Sequence, residues 1–441
     1  MLSERISTSG NLIIKILFVI LAVGLILSMG VQDGIFLVLS VINCAISVIA
    51  VFSDSDRPYS IHKLVNIFLL LFFIFANSIQ FTHGSLVTSV WVVFLQRDYR
   101  FFQFVVFLIL SLYNIAYFYI VSRKNTSQSI STEENVEVNE FFLLLIALFS
   151  AVIIINHFRG DYSRLFVRGF QGDLREATTG GQSLSLLFDK FLRVFPLSCF
   201  LVASLSNTKR VTKIILFIVT LITLFPTGLA RNAIILYWLP IALIYIRLFE
   251  KRNAFNIIML LGILVIFPFF DTFRYYNGEL HLESISFDYL DTMNYDASQE
   301  FMTVIKLRII TFGKQLLGVF LFFVPRSIWP NKPVGSGAFV AQSQFEFSNV
   351  SMPFWGEGYI NFGWFGVIVF TIILVWISAS LDSKYWCHKH SYHISVKDGY
   401  YLIVLSSIIF LLRGDLMSSF AYLVGALVSY MFVHKLTIRY V

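Results

Sequence analysis

Apolar residues fall into long runs along most of this chain, and the polar residues collect between them. Runs at about 11–29, 33–52, 64–82, 101–121, 141–156, 184–205, 214–226, 229–246, 254–270, 362–380, 399–412 and 416–434 approach or reach the length a helix needs to cross a hydrocarbon core. They lack the strict alternation of barrel strands, and only helices or closed barrels satisfy every backbone polar group in lipid. The pattern predicts an all-α polytopic integral membrane protein with about 12 transmembrane helices, built as a single domain over 1–441. LVTSVWVVFLQ, within residues 83–99, is about half a span and is expected to lie on the surface or re-enter rather than cross.

The interruptions differ in kind. RKNTSQSISTEENVEVNE (123–140) reads as a polar, mobile linker. Residues 157–183 form a charged loop, and 271–361 form the longest region without a full span. The apolar run LLGVFLFFV (316–324) inside that region is too short to cross, so a half-helix dipping into the membrane is expected at about 314–325. Around it, Lys314 to Gly366 carries three prolines by Pro333, a run of glycines, and Glu357 between two more. Helix propensity cannot carry the backbone through PRSIWPNKPVGSG. Non-helical backbone near a membrane is tolerated only where protein covers it or a water-filled cavity meets it, so this stretch predicts a built cavity carrying charge.

Composition sharpens the class. The chain is 57% hydrophobic and 13% charged, with mean hydropathy +0.77, where a soluble domain is nearer a quarter charged. The net charge of +7 is scattered over loops with no basic stripe, which argues against a nucleic-acid partner. Cys44, Cys199 and Cys387 stand singly, with neither metal spacing nor a disulfide framework. No HExxH, paired-cysteine or compact DxD pattern predicts a metal, and no phosphate-binding glycine loop predicts a nucleotide cofactor. An even number of crossings places both termini on one side, together with the basic turns 57–63, 209–213, 247–253 and 384–397, so that side is expected to be cytoplasmic.

On the other side the cations are mostly arginine: Arg159, Arg231, Arg274, Arg326 and Arg413, with Lys332 among few lysines. Arginine offers a rigid fork to oxyanions and stays charged when partly desolvated, so this face looks equipped for a phosphate-rich ligand, although each arginine could equally pair with a nearby acid. Arg231 and Arg326, beside Pro and Gly in apolar surroundings, are the strongest clamp candidates and are expected to share one cavity with Glu357. Glu357 is the preferred general base, with a structural partnership to Arg326 or Lys332 as the alternative; Asp271, Asp415 and His157 are weaker base candidates near span ends. Trp329, Trp355 and Tyr359 either stack on sugar rings or belong to an aromatic belt.

FPTGLARN (225–232), DTFRYY (271–276), GKQLLGVFLFFVPRSIWPNKPVGSG (313–337), NVSMPFWGEGYINFGWFG (349–366) and LRGD (412–415) together resemble the O-antigen polymerases, the oligosaccharide repeat unit polymerases of bacterial surface polysaccharide synthesis. The resemblance implies a GT-C-like fold in the bacterial inner membrane. Its substrates would be undecaprenyl-pyrophosphate-linked oligosaccharides met on the periplasmic face, with membrane lipids and a chain-length regulator protein as further partners. It implies glycosyl transfer of the growing chain onto a new repeat unit without metal or other cofactor. Arg231, Arg274 and Arg326 would hold the pyrophosphate, and an acid or histidine would take the acceptor proton. The related O-antigen ligases, which transfer glycan to lipid A core, use a loop histidine, for which His157 and His281 are the nearest options. A flippase for the same lipid-linked sugars is the other competing reading. Direct attack on the donor would invert the anomeric centre, and no second nucleophile for a covalent route is apparent.

Overall fold

The computed structural model describes residues 2–53, 57–88, 92–124, 136–157, 163–166, 190–263, 287–342, 350–391 and 395–440. Within them the apolar runs fold as helices. The first half contains α1 (Leu2–Ser28), α2 (Gly34–Ser53), α3 (Ile61–Phe68), a π-helical segment (Leu69–Phe75) leading into α4 (Ala76–His83), α5 (Gln96–Lys124), α6 (Glu140–His157), α7 (Ser163–Phe166), α8 (Phe195–Ser204) and α9 (Arg210–Thr223). The second half contains α10 (Arg231–Tyr245), α11 (Ala254–Leu261), α12 (Ala297–Lys306), α13 (Lys314–Phe320), α14 (Ser336–Gln342), α15 (Phe354–Ser391), α16 (Asp398–Arg413) and α17 (Leu416–Thr437). A short antiparallel pair, β1 (Val136–Val138) and β2 (Ile438–Tyr440), joins the segment before α6 to the end of α17. Among the described residues, 7 helices are long and apolar enough to cross a membrane, and three shorter apolar helices accompany them. The protein is an all-α membrane protein.

The span Ile61–His83 is the most deeply buried of these, and α2, α5, α15 and α16 pack around it. A second set, α6, α8, α9 and α17, packs side by side, and α10 lies along α16 at the seam. One continuous apolar cluster runs through both sets. Polar side chains stitch helices within the buried interior. Gln103 of α5 donates to Asn77 Oδ1 of α4 (2.9 Å) and to the Phe73 carbonyl of the π segment (2.9 Å), and accepts from Asn43 of α2 (2.9 Å). At the far end of α3, Asp382 of α15 accepts the backbone N–H groups of Ile61 (3.0 Å) and His62 (3.2 Å) and the hydroxyls of Tyr117 (3.0 Å) and Tyr401 (2.7 Å). That carboxylate supplies α3 with an N-terminal cap from another helix, satisfying donors that a helix start leaves open.

Two findings differ from the sequence expectation. Helix α15 starts at Phe354, well before 362, so FWGEGY is helical and Glu357 stands in a first turn rather than in a loop. Its glycines serve packing instead of breaking the helix: a Cβ on Gly356 would lie 2.7 Å from Met352 Sδ, and one on Gly358 2.9 Å from the Gly366 carbonyl. The break comes later, at Phe362 (φ −143°) and Gly363 (φ +62°), the left-handed conformation that glycine adopts without steric cost.

That break leaves carbonyls without helical partners, and residues 311–316 fill them. Thr311 N–H donates to Ile360 O (2.6 Å), Gly313 N–H to Asn361 O (3.0 Å), and Leu316 N–H to Asn361 Oδ1 (2.8 Å). Arg308 and Phe312 both take φ +51°, a conformation that costs a non-glycine residue about 1–3 kcal/mol and persists only where surrounding contacts hold it. Helix α13 follows over Lys314–Phe320, shorter than the half-helix expected at about 314–325, with Val319 packed against Phe370 and Leu416. The stretch 84–95 contains no helix among its described residues; instead it is fastened to α12, with Val87 N–H on Gln299 Oε1 (2.9 Å) and Gln299 Nε2 on Ser85 O (2.8 Å).

Candidate functional site

The non-helical loop between α13 and α14 ends at Gly335, and Ser336 and Gly337 open α14; the three residues lie between two carboxyl groups carried by different helices. Ser336 Oγ donates to Glu357 Oε2 (2.7 Å), and Gly337 N–H donates to Asp415 Oδ2 (3.0 Å). The second oxygen of Glu357 accepts the N–H of Leu416 (2.9 Å), the residue next to Asp415. Asp415 is also the N-cap of α17, taking Ser418 N–H on Oδ1 (3.1 Å). Gly335 has no room for a side chain, since a Cβ there would sit 2.6 Å from Asp415 Oδ1. The two carboxyls are close enough for each charge to bear on the other.

Their surroundings differ. Glu357 has no exposed surface, whereas Asp415 is half-buried. Burial raises the Asp415 carboxyl above its ordinary range, against the opposing pull of the Gly337 and Ser418 N–H groups and the nearby Lys190 charge. Lys190 places its ammonium 4.9 Å from the centre of the Tyr422 ring, and Gly425 gives its backbone room to approach. Two carboxyls in one apolar site cannot easily both ionise, so such a pair tends to share a proton and can work as an acid–base unit.

A second polar cluster adjoins the first. Arg413, two residues before Asp415, donates Nε to Asn294 O (2.9 Å) and Nη2 to Asp296 Oδ1 (3.3 Å). Asp296 also accepts both the N–H (3.3 Å) and the hydroxyl of Ser351, close to the start of α15. One turn further along α12, Glu300 is fully buried, accepts the Thr88 hydroxyl on one oxygen, and has no partner for the other among the described residues. Burial, reinforced by the Asp296 charge, raises its pKa to about 8.

The expected site residues are distributed unevenly over this arrangement. Glu357 and Asp415 come together, and Arg413 stands beside them. Arg326 is exposed and donates to its own loop, to Lys332 O (2.6 Å) and Pro333 O (3.3 Å); Lys332 donates to Phe322 O (2.5 Å) and Val324 O (2.9 Å). Both cations therefore shape the PRSIWPNKP turn, and the partner of Glu357 is Ser336 rather than either of them. Trp329 is half-buried in that turn. Trp355 and Tyr359 are corrected from sugar platforms to core residues. Trp355 is fully buried among Phe68, Phe73 and Phe354 with its indole N–H on Thr371 Oγ1 (3.1 Å), and Tyr359 is buried against Trp364, because the early start of α15 turns both rings inward.

Arg231 is the first residue of α10, reached through a turn in which Gly228 lies too close to the Leu165 carbonyl of α7 for any side chain. Its own side chain lies outside the described residues, as do Arg159, Asp271, Arg274 and His281. His157 ends α6 and is exposed. Sequence reasoning overlooked Ser336, Glu300 and Lys190, and weighed Asp296 only among the acids of 287–296 as a weak surface cation site rather than as the partner of Arg413. Of these only Ser336 carried a local signal, a hydroxyl between two glycines in a proline-rich loop.

Among the described residues no group of three or more His, Cys, Asp or Glu side chains could hold a metal ion. Comparison of the chain with protein-family models, curated proteins and solved structures finds no match.

Proposed function

We propose that this protein is a glycosyltransferase of the oligosaccharide repeat unit polymerase type. It crosses the bacterial inner membrane twelve times in a GT-C-like arrangement, with both termini in the cytoplasm and the carboxyl pair toward the periplasm. The reading rests on the resemblance of the loop and helix-start motifs. The observation that carries it is the convergence of those motifs in space: VGSG, GEGY and LRGD, distant in sequence, supply Ser336, Glu357 and Asp415 to one cluster.

In this scheme the half-exposed Asp415 is the base and Glu357 the buried partner that shares its proton. The acceptor hydroxyl attacks the anomeric carbon of an undecaprenyl-pyrophosphate-linked chain, the bond to the pyrophosphate breaks, and the proton passes to Asp415. Arg231 and Arg326 hold the leaving pyrophosphate; Arg326 is exposed, and its two loop contacts through Nη1 and Nη2 leave further N–H donors of the guanidinium for it. Stabilising charge where it develops needs neither nucleotide nor metal. A single displacement inverts the anomeric centre.

The test is purified protein with defined lipid-linked donor and acceptor, followed by linkage analysis. Asp415→Asn is expected to lower the transfer rate by about 10²–10⁴-fold, the usual contribution of a positioned base, while donor binding survives. Glu357→Gln should cost less and displace the pH–rate profile. Retention of configuration would exclude the single displacement. Full turnover in Asp415→Asn would remove Asp415 as base, and glycan appearing on lipid A core rather than on a new repeat unit would make the protein a ligase.

A further inference from the structure

The turn between α1 and α2, the end of α4 and the start of α5 enclose a cleft of about 770 Å³ that the carboxyl pair does not use. Its volume falls within the roughly 300–1,000 Å³ of small-ligand clefts. It is linked structurally to the carboxyl pair. The chain leaving α4 is fastened to α12 through Gln299 and Glu300, and Asp296, the N-cap of α12, holds Arg413, two residues before Asp415.

The floor of the cleft is an ion pair. The buried Asp33 carboxylate accepts Arg100 Nε (2.8 and 3.0 Å to its two oxygens) and Nη2 (2.6 Å), and also takes the Phe36 N–H (3.0 Å) at the start of α2. The pair is closed on itself, so the cleft offers no unbalanced charge to a phosphate or an ammonium. What it does offer is neutral. Gln32 and Gln96 are exposed, and each amide carries donors and an acceptor; the Thr82 hydroxyl donates to Ser78 O (2.9 Å) and keeps its acceptor capacity. One wall is the Phe81 ring, fixed by stacking on Phe36 at 4.3 Å and by an edge contact with Tyr99 at 5.1 Å. Planar amides and a hydroxyl beside a fixed ring match the hydroxyls and C–H face of an uncharged sugar.

We propose that this cleft is a glycan-binding subsite that holds the growing oligosaccharide away from the carboxyl pair, an inference that takes the identity of the glycan from the polymerase reading. The probe is a set of phosphate-free oligosaccharides of several repeat units, released by mild acid from the source cell's own surface polysaccharide and titrated against the purified full chain by saturation-transfer NMR. Gln96→Trp fills the cleft from an exposed position and is expected to weaken binding by at least about tenfold, a large but ordinary single-site effect. Gln32→Ala removes one amide without adding bulk and should weaken it less, while Asn207→Ala, at an exposed position outside both the cleft and the carboxyl pair, should leave it unchanged. In the transfer assay Gln96→Trp should shorten the product chains while the first block transfer continues. Equal binding by wild type and Gln96→Trp, no binding by wild type, or displacement of the glycan by glycerophosphoethanolamine would overturn the proposal, the last by making the cleft a lipid-headgroup site. Binding without any transfer by wild type would sink the polymerase reading alone, and transfer without binding here would sink the subsite alone.

Discussion

Glu300 shows how a single buried acid makes stability depend on pH. Its ordinary value is 4.5, and burial with the neighbouring Asp296 charge raises it to about 8 in the folded protein. A folded value above the unfolded one means that the native state holds the proton more tightly between the two. The stability this proton provides is complete below about 4.5 and declines as pH rises to about 8. Glu300→Gln keeps a neutral hydrogen-bonding side chain of the same shape. The midpoint of thermal unfolding of wild type should therefore fall relative to Glu300→Gln between these pH values and run parallel to it above them. A difference that stays constant across the whole window would show that Glu300 is ionised throughout. Nothing local in DASQEFMTV reveals this group, because its environment comes from Thr88, 212 residues away.

Among the elements, α15 is the one whose details most affect the site. Gly366 faces the carbonyl of Gly358 across the kink, so closely that any Cβ would lie well inside van der Waals contact with rigid backbone. Gly366→Ala should destabilise by at least the roughly 1–3 kcal/mol typical of overpacking, because backbone cannot rotate aside as a side chain can. Thermal unfolding in detergent checks this, and an unchanged midpoint would mean that the two halves of α15 do not approach so closely. The same helix marks where sequence reading stops. Its apolar length was legible, since crossing a hydrocarbon core imposes a run of fixed size on the chain. Its start was not, because Gly356 and Gly358 look like breakers until their tertiary neighbours are known. The site divides similarly: Glu357 and Asp415 were both visible as isolated acids near breaks, but their convergence depends on contacts 21, 59 and 78 residues apart in the chain.

For the whole molecule, the proposed twelve crossings would put the α1–α2 turn and the α13–α14 loop on one side of the membrane, with the α8–α9 and α15–α16 turns on the other. Cysteine labelling reads this directly. Cys44 and Cys199 are buried, so replacing exposed Cys387 by Ser provides a quiet background. Ser327→Cys is expected to react with an impermeant reagent added to the periplasmic side of intact cells, and Asn207→Cys only after the membrane is opened. Both positions are exposed. Identical labelling would remove at least one crossing between them and redraw the side on which the carboxyl pair lies.

The cap that Asp382 places on α3 carries a consequence for how the protein is made. The donors belong to Ile61 and His62, and the carboxylate that receives them is 321 and 320 residues further along the chain. At the usual ribosomal rate of about 5–20 residues per second, roughly 15–65 s separate the emergence of the two. During that interval the third helix, which in the finished protein is almost wholly enclosed, has its local Ser60 cap and its early neighbours but lacks the Asp382 carboxylate and the walls supplied by α15 and α16. It must wait in lipid or beside an insertion factor, with lipid or that factor in place of neighbours not yet synthesised. The third helix therefore stays incompletely enclosed for most of translation, and substitutions at Asp382 should show first as degradation of newly made chains, before any loss in the mature protein.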